Sequence, residues 1–476
     1  MRCPWHGACF NVRTGDIEDA PTLGGLNTFP THVANGKVYV QAADFKARQR
    51  FHACAADLHV NGERVVVIVG GGPAGVATAT TLRERGFDGR IVLVSREPHA
   101  PYDRVKCSKS FGASAASIAL RKEGFYAQQH IELVLGKEVS GVDTEHKSVR
   151  LSDGSTLAYT WLVLAPGADA RTLPIPGSEL ANVRTLRTVD DAHAIDAACV
   201  GLNDIAVVGL SFIGTEVAAV LKSMKKTPNV TILGLEKVPL ERVLGPEVGS
   251  AMQQLHETRG VQFVFEAAIE RFTGDEHGRV SGVQLAGGRV VPAQRVIVDV
   301  GVRPATDFLK GAVVGALQRD GGVGVNEYLQ VPGVDGVYAL GDIARFPFHA
   351  TGESVRIEHW AVAEQHGRVA ALNIVAPHAP TPFRAVPFFW TVQYGKSLRY
   401  AGHATSYDST HWVAGADAGS FAQYYVRGNQ VLAVATLGVD ALATAVAELM
   451  HQGRMPTADE IRAGLDPRSI LTTPRA

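Results

Sequence analysis

The sequence lacks an excess of charge of either sign. Its 476 residues include 46 lysines and arginines against 47 aspartates and glutamates. A balance this close provides no broad electrostatic field that would attract nucleic acid or an anionic membrane. We therefore expect no nucleic-acid partner, although a local charged patch for a protein partner stays open.

The chain also has few cysteines and no uninterrupted apolar run of membrane-spanning length. Its five cysteines show no disulfide-framework spacing, and its N-terminus lacks the charged and apolar regions of a signal peptide. Residues 65–82 are uncharged, but four glycines and Pro73 interrupt them, which argues against a transmembrane helix. We expect a cytoplasmic protein without a transmembrane segment.

A strand, turn, helix and strand follow one another early in the chain. Residues 65–69 are a β-branched run, residues 76–82 have helical composition, and residues 91–94 are apolar again. With a glycine turn between the first two, this order predicts a βαβ dinucleotide-binding unit of about 30 residues. The length of the chain allows two to four domains, so the unit is one part of a larger protein.

The same order returns later in the chain. Residues 205–208 and 230–233 predict strands, residues 209–214 a turn, and residues 215–222 a helix. The chain therefore contains two dinucleotide-binding units.

Further elements are predicted around these units. Residues 148–164 indicate hairpin strands that return to the first sheet, and residues 295–300 repeat that pattern after the second unit. Residues 337–340 predict a strand and residues 358–375 a helix, whereas residues 37–40 predict a strand within a turn-rich start.

The first glycine turn has the spacing of a phosphate-binding loop. Gly70, Gly72 and Gly75 follow a strand and open a helix, so a pyrophosphate could approach the backbone N–H groups there. Glu97, just beyond the second strand, is placed to accept a ribose hydroxyl. The alternative is an ordinary glycine-rich turn, which the surrounding βαβ pattern disfavours.

The second turn departs from the motif. Ser211 replaces the middle glycine between Gly209 and Gly214. Glu216 follows in the first turn of the helix, where a functional role and simple stabilisation by the helix dipole are equally good explanations. Glu236, near the end of the next strand, favours NADH over NADPH.

Four segments carry a family resemblance. Residues 101–109 (PYDRVKCSK), 340–342 (LGD), 387–391 (PFFWT) and 395–402 (GKSLRYAG) accompany the two turns. With them the chain resembles the pyridine-nucleotide-dependent flavoprotein reductases, and in particular the apoptosis-inducing-factor-like and ferredoxin-reductase-type enzymes. The resemblance covers nearly the whole chain from Arg64.

This resemblance implies an FAD site. Arg104 and Lys109 would contact FAD, Arg187 would support its diphosphate, Asp342 would bind the ribityl chain, and Trp360 would lie against the flavin. The alternatives are surface or helix-end charges and, for Trp360, a core tryptophan.

The resemblance also implies a Lys109–Glu216 pair beside the flavin, which we take as the catalytic pair. Arg96 occupies a position that is commonly acidic in the family, which leaves Glu97 as the substitute. The expected cofactor-binding residues are Gly70, Gly72, Pro73, Ala74, Gly75, Arg96, Glu97, Arg104, Lys109, Val139, Arg187, Gly209, Ser211, Phe212, Ile213, Gly214, Glu216, Glu236, Gly301, Asp342 and Trp360.

Disulfide reduction is disfavoured. Related disulfide reductases need two neighbouring cysteines near the flavin, so that a thiolate can take its electrons. This chain has only Cys107 there, and we expect it to be a small buried residue.

The N-terminus resembles the second half of a Rieske domain. Cys3 and His6 have the C-x-x-H spacing that places one thiolate and one imidazole on a [2Fe–2S] centre. The other two ligands would come from an upstream C-x-H pair, and the given sequence has none. We therefore expect half of a site that is empty in this chain, with [2Fe–2S] bound only if the missing half is restored.

The expected fold is α/β, with two Rossmann-type dinucleotide-binding domains for FAD and NAD(P) and a C-terminal α+β domain, preceded by a partial all-β Rieske fragment. The expected divisions are 1–45 for the partial Rieske fragment, 46–63 for a linker, 64–195 and 326–378 for the FAD-binding domain, 196–325 for the NAD(P)-binding domain and 379–476 for the C-terminal reductase or interface domain.

The function that follows is an FAD-dependent NAD(P)H oxidoreductase. It would take hydride from NADH, or less readily from NADPH, and pass electrons to an iron–sulfur acceptor, either a ferredoxin or a Rieske centre. The alternative is a slow-turnover, NADH-responsive redox sensor or interaction flavoprotein. A homodimer stays open.

Overall fold

The structure is a computed structural model that describes residues 1–41, 60–199, 201–224, 229–313 and 315–472. Residues 46–59 of the predicted linker lie outside these ranges. Near the N-terminus two small antiparallel hairpins form from β1 (Cys9–Phe10), β2 (Ile17–Asp19), β3 (Thr31–Ala34) and β4 (Lys37–Val40). The strand predicted at residues 37–40 is confirmed.

The first βαβ unit begins three residues before its predicted start at Arg64. Residues 61–63, predicted as linker, extend the strand because Asn61 pairs with Gly89 of the neighbouring strand. The helix that follows has Pro73 in its first turn, where no backbone donor is needed. This part of the chain contains β5 (Asn61–Val69), α1 (Pro73–Glu84), β6 (Gly89–Ser95), α2 (Phe125–Gln128), β7 (Ile131–Leu135), β8 (Val139–Asp143), β9 (Ser148–Leu151), β10 (Thr156–Ala158), β11 (Trp161–Leu164) and β12 (Ala168–Ala170).

The second unit repeats this succession of strands and helices. It contains β13 (Val183–Thr185), α3 (Val189–Ala198), β14 (Asp204–Val208), α4 (Phe212–Ser223), β15 (Asn229–Leu233), α5 (Glu241–Glu257), β16 (Val261–Val264), β17 (Ile269–Gly274), β18 (Val280–Leu285), β19 (Val290–Pro292), β20 (Arg295–Val298) and β21 (Val302–Pro304). The predicted division between residues 195 and 196 cuts through α3. Strand β13 already belongs to the second sheet, because it pairs in parallel with β20.

The rest of the chain completes the first sheet and adds a separate one. It contains β22 (Val323–Gly324), β23 (Val337–Ala339), β24 (Ala344–Pro347), β25 (Ser354–Arg356), α6 (Trp360–Val375), β26 (Phe388–Gln393), β27 (Lys396–Gly402), β28 (Ser409–Ala414), β29 (Phe421–Arg427), β30 (Gln430–Leu437), α7 (Leu442–His451), α8 (Ala458–Arg462) and α9 (Pro467–Thr472). Within the described residues, no helix is both long and apolar enough to cross a membrane.

Two five-stranded parallel sheets share one plan. Their strand orders are β23-β11-β5-β6-β7 and β13-β20-β14-β15-β16, and the strand that leads into each glycine turn lies at the centre. Ligands of such sheets bind at the carboxyl ends of the strands. The predicted α/β fold with two Rossmann-type units is confirmed, and the C-terminal part forms an antiparallel sheet of order β26-β27-β30-β29-β28.

Helices α1 and α6 pack closely against each other. A Cβ atom on Gly367 of α6 would overlap the carbonyl oxygen of Ala74 in α1, so glycine permits the contact. Helix α6 begins at Trp360 rather than at the predicted Glu358, because His359 is still extended at φ −110° and ψ 139°. This packing brings the start of α6 to the first glycine turn.

Candidate functional site

One cleft of about 400 Å³ lies where the two dinucleotide-binding units meet. It brings together residues that are far apart in sequence. The predicted site residues in its walls are Gly70, Gly72, Pro73, Ala74, Arg96, Glu97, Arg104, Lys109, Val139, Arg187, Phe212, Ile213, Glu216, Asp342 and Trp360. The lining does not include Gly75, Gly209, Ser211, Gly214, Glu236 or Gly301.

The first glycine turn is shaped for an anionic ligand. Gly70 has φ +114°, and a Cβ atom there would overlap the carbonyl oxygen of Ala165. Helix α1 starts after Gly72 without a side-chain cap, and a Cβ atom on Gly72 would have no atom within 4 Å. Because the first N–H groups of a helix have no partner within it, this open, uncapped end fits the pyrophosphate of a dinucleotide.

The second glycine turn is built differently. Gly209 has φ +125°, close to the φ +114° of Gly70 in the first turn. Unlike helix α1, however, helix α4 has a side-chain cap, because Ser211 accepts the Gly214 N–H at 3.3 Å. The Ser211 hydroxyl in turn donates to Asp299, which also accepts the Gly214 N–H at 2.8 Å. A protein carboxylate therefore sits at the helix end that a coenzyme phosphate would use.

Asp299 was missed from the sequence. The signal was present, because this carboxylate directly follows the apolar strand β20 at the end of a parallel sheet, where ligands bind. Burial is the main cause that raises the pKa of Asp299 above its ordinary range, and Glu216 raises it further.

Lys109 and Glu216 form the ion pair that was expected. The Lys109 Nζ lies 2.9 Å from Glu216 Oε2. Glu216 is 6% exposed and also accepts hydrogen bonds from Ser108 Oγ at 2.5 Å and Thr391 Oγ1 at 2.6 Å. The pair therefore joins the first unit, the second unit and the C-terminal sheet at one wall of the cleft.

Glu97 is held just beyond the end of β6. It accepts hydrogen bonds from the Tyr102 hydroxyl and from Arg104, so the carboxylate predicted to meet a ribose is oriented by two neighbours. Tyr102 belongs to the 101–109 segment, but the sequence predicts no role for it. Arg96 points to other partners and pairs with Asp169 at 2.6 Å.

Asp342 and Arg187 face each other across the cleft wall, with Arg187 Nη2 at 3.2 Å from Asp342 Oδ2. The short helical turn that carries Asp342 is anchored by its neighbour, since the Gly341 N–H donates to His366 Nδ1 at 3.1 Å. Full burial lowers the pKa of His366 to about 3, so this ring is neutral. No sequence signal marked His366, which lies inside α6.

The remaining predicted residues lie in varied settings. Val139 is buried in β8, and Trp360 is the first residue of α6; both contribute to the cleft wall. Glu236 forms an ion pair with Arg242, whose Nε lies 2.5 Å from Glu236 Oε1. Gly301 has φ +89° and adjoins β21.

The predicted iron–sulfur ligands do not form a cluster site by themselves. Cys3 packs against a small apolar cluster of Ala8, Phe10 and Ile17, and His6 lies on Trp390 with ring centroids 4.3 Å apart. Across the described ranges, no group of three or more His, Cys, Asp or Glu residues is arranged to hold a metal ion. Two of the four Rieske ligands do not suffice.

Cys107 has the character expected of a structural residue. It is buried in the 3₁₀ turn Arg104–Ser108, and burial raises the pKa of its thiol to about 11. A thiol in this state is a poor nucleophile, because the thiolate is the reactive form.

Two protein-family models match the chain. Residues 64–367 match the model described as pyridine nucleotide-disulphide oxidoreductase, and residues 388–471 match the one described as reductase C-terminal. Together they span both parallel sheets and the C-terminal antiparallel sheet.

Individual proteins are similar over most of the chain. Apoptosis-inducing factor 3 of Homo sapiens is 39% identical over 461 residues, which covers 95% of this chain and 75% of that protein. The benzene 1,2-dioxygenase system ferredoxin–NAD(+) reductase subunit of Pseudomonas putida is 33% identical, covering 71% of this chain and 80% of that protein. The covalent putidaredoxin reductase–putidaredoxin complex aligns with a TM-score of 0.78 and 32% identity, over 84% of this chain and 96% of that chain.

Proposed function

The chain belongs to the pyridine nucleotide-disulphide oxidoreductase family, and from this membership we propose that it is an FAD-dependent NADH oxidoreductase that supplies electrons to a ferredoxin. The observation that carries the proposal is the cleft in which the first glycine turn faces the start of α4 from the second unit. Such an arrangement lets a nicotinamide meet a flavin. The bound FAD would accept hydride and release electrons one at a time.

Several residues would hold FAD. The uncapped end of α1 at Gly72 would take the pyrophosphate. Arg104 and Glu97 would bind the ribose side, while Arg187 and Asp342, which lie 3.2 Å apart, would bind the diphosphate and ribityl groups. Trp360 would contact the flavin from the start of α6.

Lys109 and Glu216 are proposed as the pair that aligns the two ring systems. Their 2.9 Å contact is supported by two hydroxyl donors to the carboxylate, which limits its movement. Precise alignment is the main protein contribution to hydride transfer.

The proposed acceptor is an iron–sulfur protein of the ferredoxin type. Support comes from the ferredoxin–NAD(+) reductase relative and from the putidaredoxin reductase–putidaredoxin complex. Disulfide reduction is not proposed, because Cys107 is buried and burial raises the pKa of its thiol to about 11, which makes it a poor nucleophile. A Rieske-type acceptor is a second proposal. It is supported by Cys3 and by His6, whose ring lies 4.3 Å from that of Trp390 at the cleft. Such a centre requires two further ligands from outside the described N-terminal residues.

The proposed domain division follows the sheets. Strand β23 pairs with β11, and β22 pairs with β24, which supports one discontinuous FAD-binding domain of residues 64–182 and a second part that begins before Val323 and ends at residue 378. Strand β13 pairs with β20, so we place the start of the NAD-binding domain near Val183 rather than at residue 196. Residues 379–476 form the C-terminal domain, and residues 1–45 the N-terminal fragment.

We also propose a cytoplasmic location and a homodimer. Four described cysteines are free thiols, which suits a reducing compartment. The edge strand β28 exposes Trp412 and Val413, each at 40%, and such an edge could pair with a second copy. Light scattering of the purified chain tests the dimer.

A slow-turnover redox sensor is the second candidate function. One observation favours it, namely the Asp299 carboxylate at the second glycine turn, which would weaken coenzyme binding and so slow the reaction when NADH is limiting. Steady-state rates with ferricyanide and with ferredoxin distinguish the two candidates.

The proposed function is tested by cofactor content and anaerobic reduction. We expect the purified chain to be yellow with one FAD bound and to lose its flavin absorbance on addition of NADH. A folded, colourless protein that cannot be reconstituted with FAD would exclude this function.

A further inference from the structure

The first 26 residues, called here the N-terminal segment, are anchored on the C-terminal domain by Arg2. Its Nε lies 2.7 Å from Glu448 Oε2 in α7, and its Nη1 lies 3.1 Å from Asp19 Oδ2. The Arg2 side chain is 8% exposed, and it also donates to the Gly7 carbonyl at 2.6 Å. One buried guanidinium thus ties the start of the segment and Asp19 to α7.

A second anchor lies on α6. Arg368 donates to the carbonyl of Ile17 at 2.7 Å, and Gln365 donates to the carbonyl of Glu18 at 3.3 Å. Arg121 donates to the carbonyl of Leu23. Because these bonds reach backbone oxygens, they fix the path of the segment rather than one side chain.

Between the two anchors the segment covers Trp390. The His6 ring lies 4.3 Å from the Trp390 ring at an angle of 39°, and the Trp5 carbonyl accepts a hydrogen bond from Arg399 at 3.1 Å. Trp390 also forms part of the cleft wall. It therefore reaches from the proposed flavin site to the surface that the segment occupies.

A protein carrier is too large to enter a cleft of about 400 Å³, so it must approach a wall residue from outside. We propose that the N-terminal segment is a built-in cover on the acceptor surface at Trp390, which an external [2Fe–2S] ferredoxin displaces before it takes electrons. The inference rests on the proposed function. When only a fraction of the molecules is uncovered, the apparent dissociation constant for the ferredoxin equals the intrinsic constant divided by that fraction.

The test loosens the first anchor without altering the cleft. Arg2→Gln and Glu448→Gln each remove the ion pair, and Glu448→Lys adds repulsion and serves as a stronger second variant. Arg90→Gln is the matched control, because it removes a 2.8 Å ion pair with Glu132 elsewhere on the chain. NADH-driven rates are measured with a soluble four-cysteine [2Fe–2S] ferredoxin and with ferricyanide, which is small enough to need no docking surface.

We expect the ferredoxin kcat/KM to rise by at least about threefold in the Glu448 and Arg2 variants, with unchanged ferricyanide rates and no change in Arg90→Gln. Hydrogen exchange of residues 1–26 should increase in parallel. A ferredoxin rate that stays unchanged or falls in Glu448→Lys overturns the proposal. Failure of NADH to reduce the flavin in the unaltered chain would instead refute the proposed function.

Discussion

The Asp299 carboxylate accepts the backbone N–H of Gly214 at 2.8 Å, at the start of the helix expected to face the coenzyme. A helix N-terminus attracts anions, and here a protein carboxylate already occupies it. The corresponding end of α1 has no side-chain cap. The two nucleotide sites are therefore unequal, with the second one opposed by a negative charge.

Substitution of Asp299 should improve coenzyme binding. We expect Asp299→Asn to lower the KM for NADH by about fivefold, since a charge at a helix end is worth about 1 kcal/mol, with little change in kcat. Steady-state kinetics with ferricyanide measure both parameters. Asp335→Asn, which alters a 91% exposed carboxylate, controls for net charge, and an unchanged KM in Asp299→Asn would refute the prediction.

The same residue should impose a pH dependence. Burial raises the pKa of Asp299, so its carboxyl becomes neutral at a higher pH than an ordinary aspartate does. Repulsion of the coenzyme phosphates then weakens as the pH falls, and the KM for NADH should decrease with it. The profile should be flatter in Asp299→Asn, and parallel profiles in the two proteins would contradict this cause.

The Lys109–Glu216 pair should govern flavin reduction. We expect Lys109→Met to slow anaerobic reduction by NADH about 10²-fold, because small losses of alignment have effects of this size. Glu216→Gln loses the 2.9 Å ion pair and keeps an acceptor oxygen for only one of the two hydroxyls, Ser108 or Thr391, so its reduction should also be slower than that of the unaltered chain. Stopped-flow absorbance gives the rates, and normal rates in both variants would show that the pair is only structural.

Coenzyme preference should depend on Glu236 and Arg242. Their 2.5 Å ion pair partly neutralises the carboxylate that favours NADH. Loss of a charged hydrogen-bond partner is worth about 1.5–3 kcal/mol, so Glu236→Gln should raise the ratio of NADPH to NADH kcat/KM at least about tenfold. Arg242→Ala should lower that ratio, and a constant ratio in both variants would place the specificity elsewhere.

Two glycines of the first turn should separate folding from FAD binding. A Cβ atom on Gly75 would overlap the carbonyl oxygen of Gly70, whereas one on Gly72 would meet no atom within 4 Å. Gly75→Ala should therefore destabilise the apoprotein by about 1–3 kcal/mol. Gly72→Ala should leave the thermal unfolding of the apoprotein unchanged but weaken FAD binding in a fluorescence titration. The prediction is contradicted if Gly72→Ala destabilises the apoprotein while Gly75→Ala does not.

The fold and much of the cleft could be predicted from local signals. The β-branched run before Gly70 and the similar run before Gly209 fix two central strands, and the motif resemblance identified the Lys109–Glu216 contact. These features depend on short segments whose chemistry is visible in the sequence. The start of the helix at Trp360 was displaced by two residues, because the extended conformation of His359 depends on its tertiary neighbours.

Contacts between distant segments could not be predicted where no family motif marks them. Asp299 and Gly214 are 85 positions apart, and Arg2 and Glu448 are 446 apart. Neither pair belongs to a periodic pattern or a recognised motif, so only the folded chain brings them together. His366 likewise supports Gly341 from within a helix whose sequence indicates an ordinary core position.

The most direct measurement is an anaerobic titration of the FAD-loaded chain with NADH in the presence of oxidised [2Fe–2S] ferredoxin. Because NADH delivers two electrons and the ferredoxin accepts one, each NADH should reduce two ferredoxins, with no ferredoxin reduced when FAD is removed. If ferredoxin stays oxidised after NADH is added, whether or not the flavin is bleached, the proposed electron transfer from NADH to ferredoxin is contradicted.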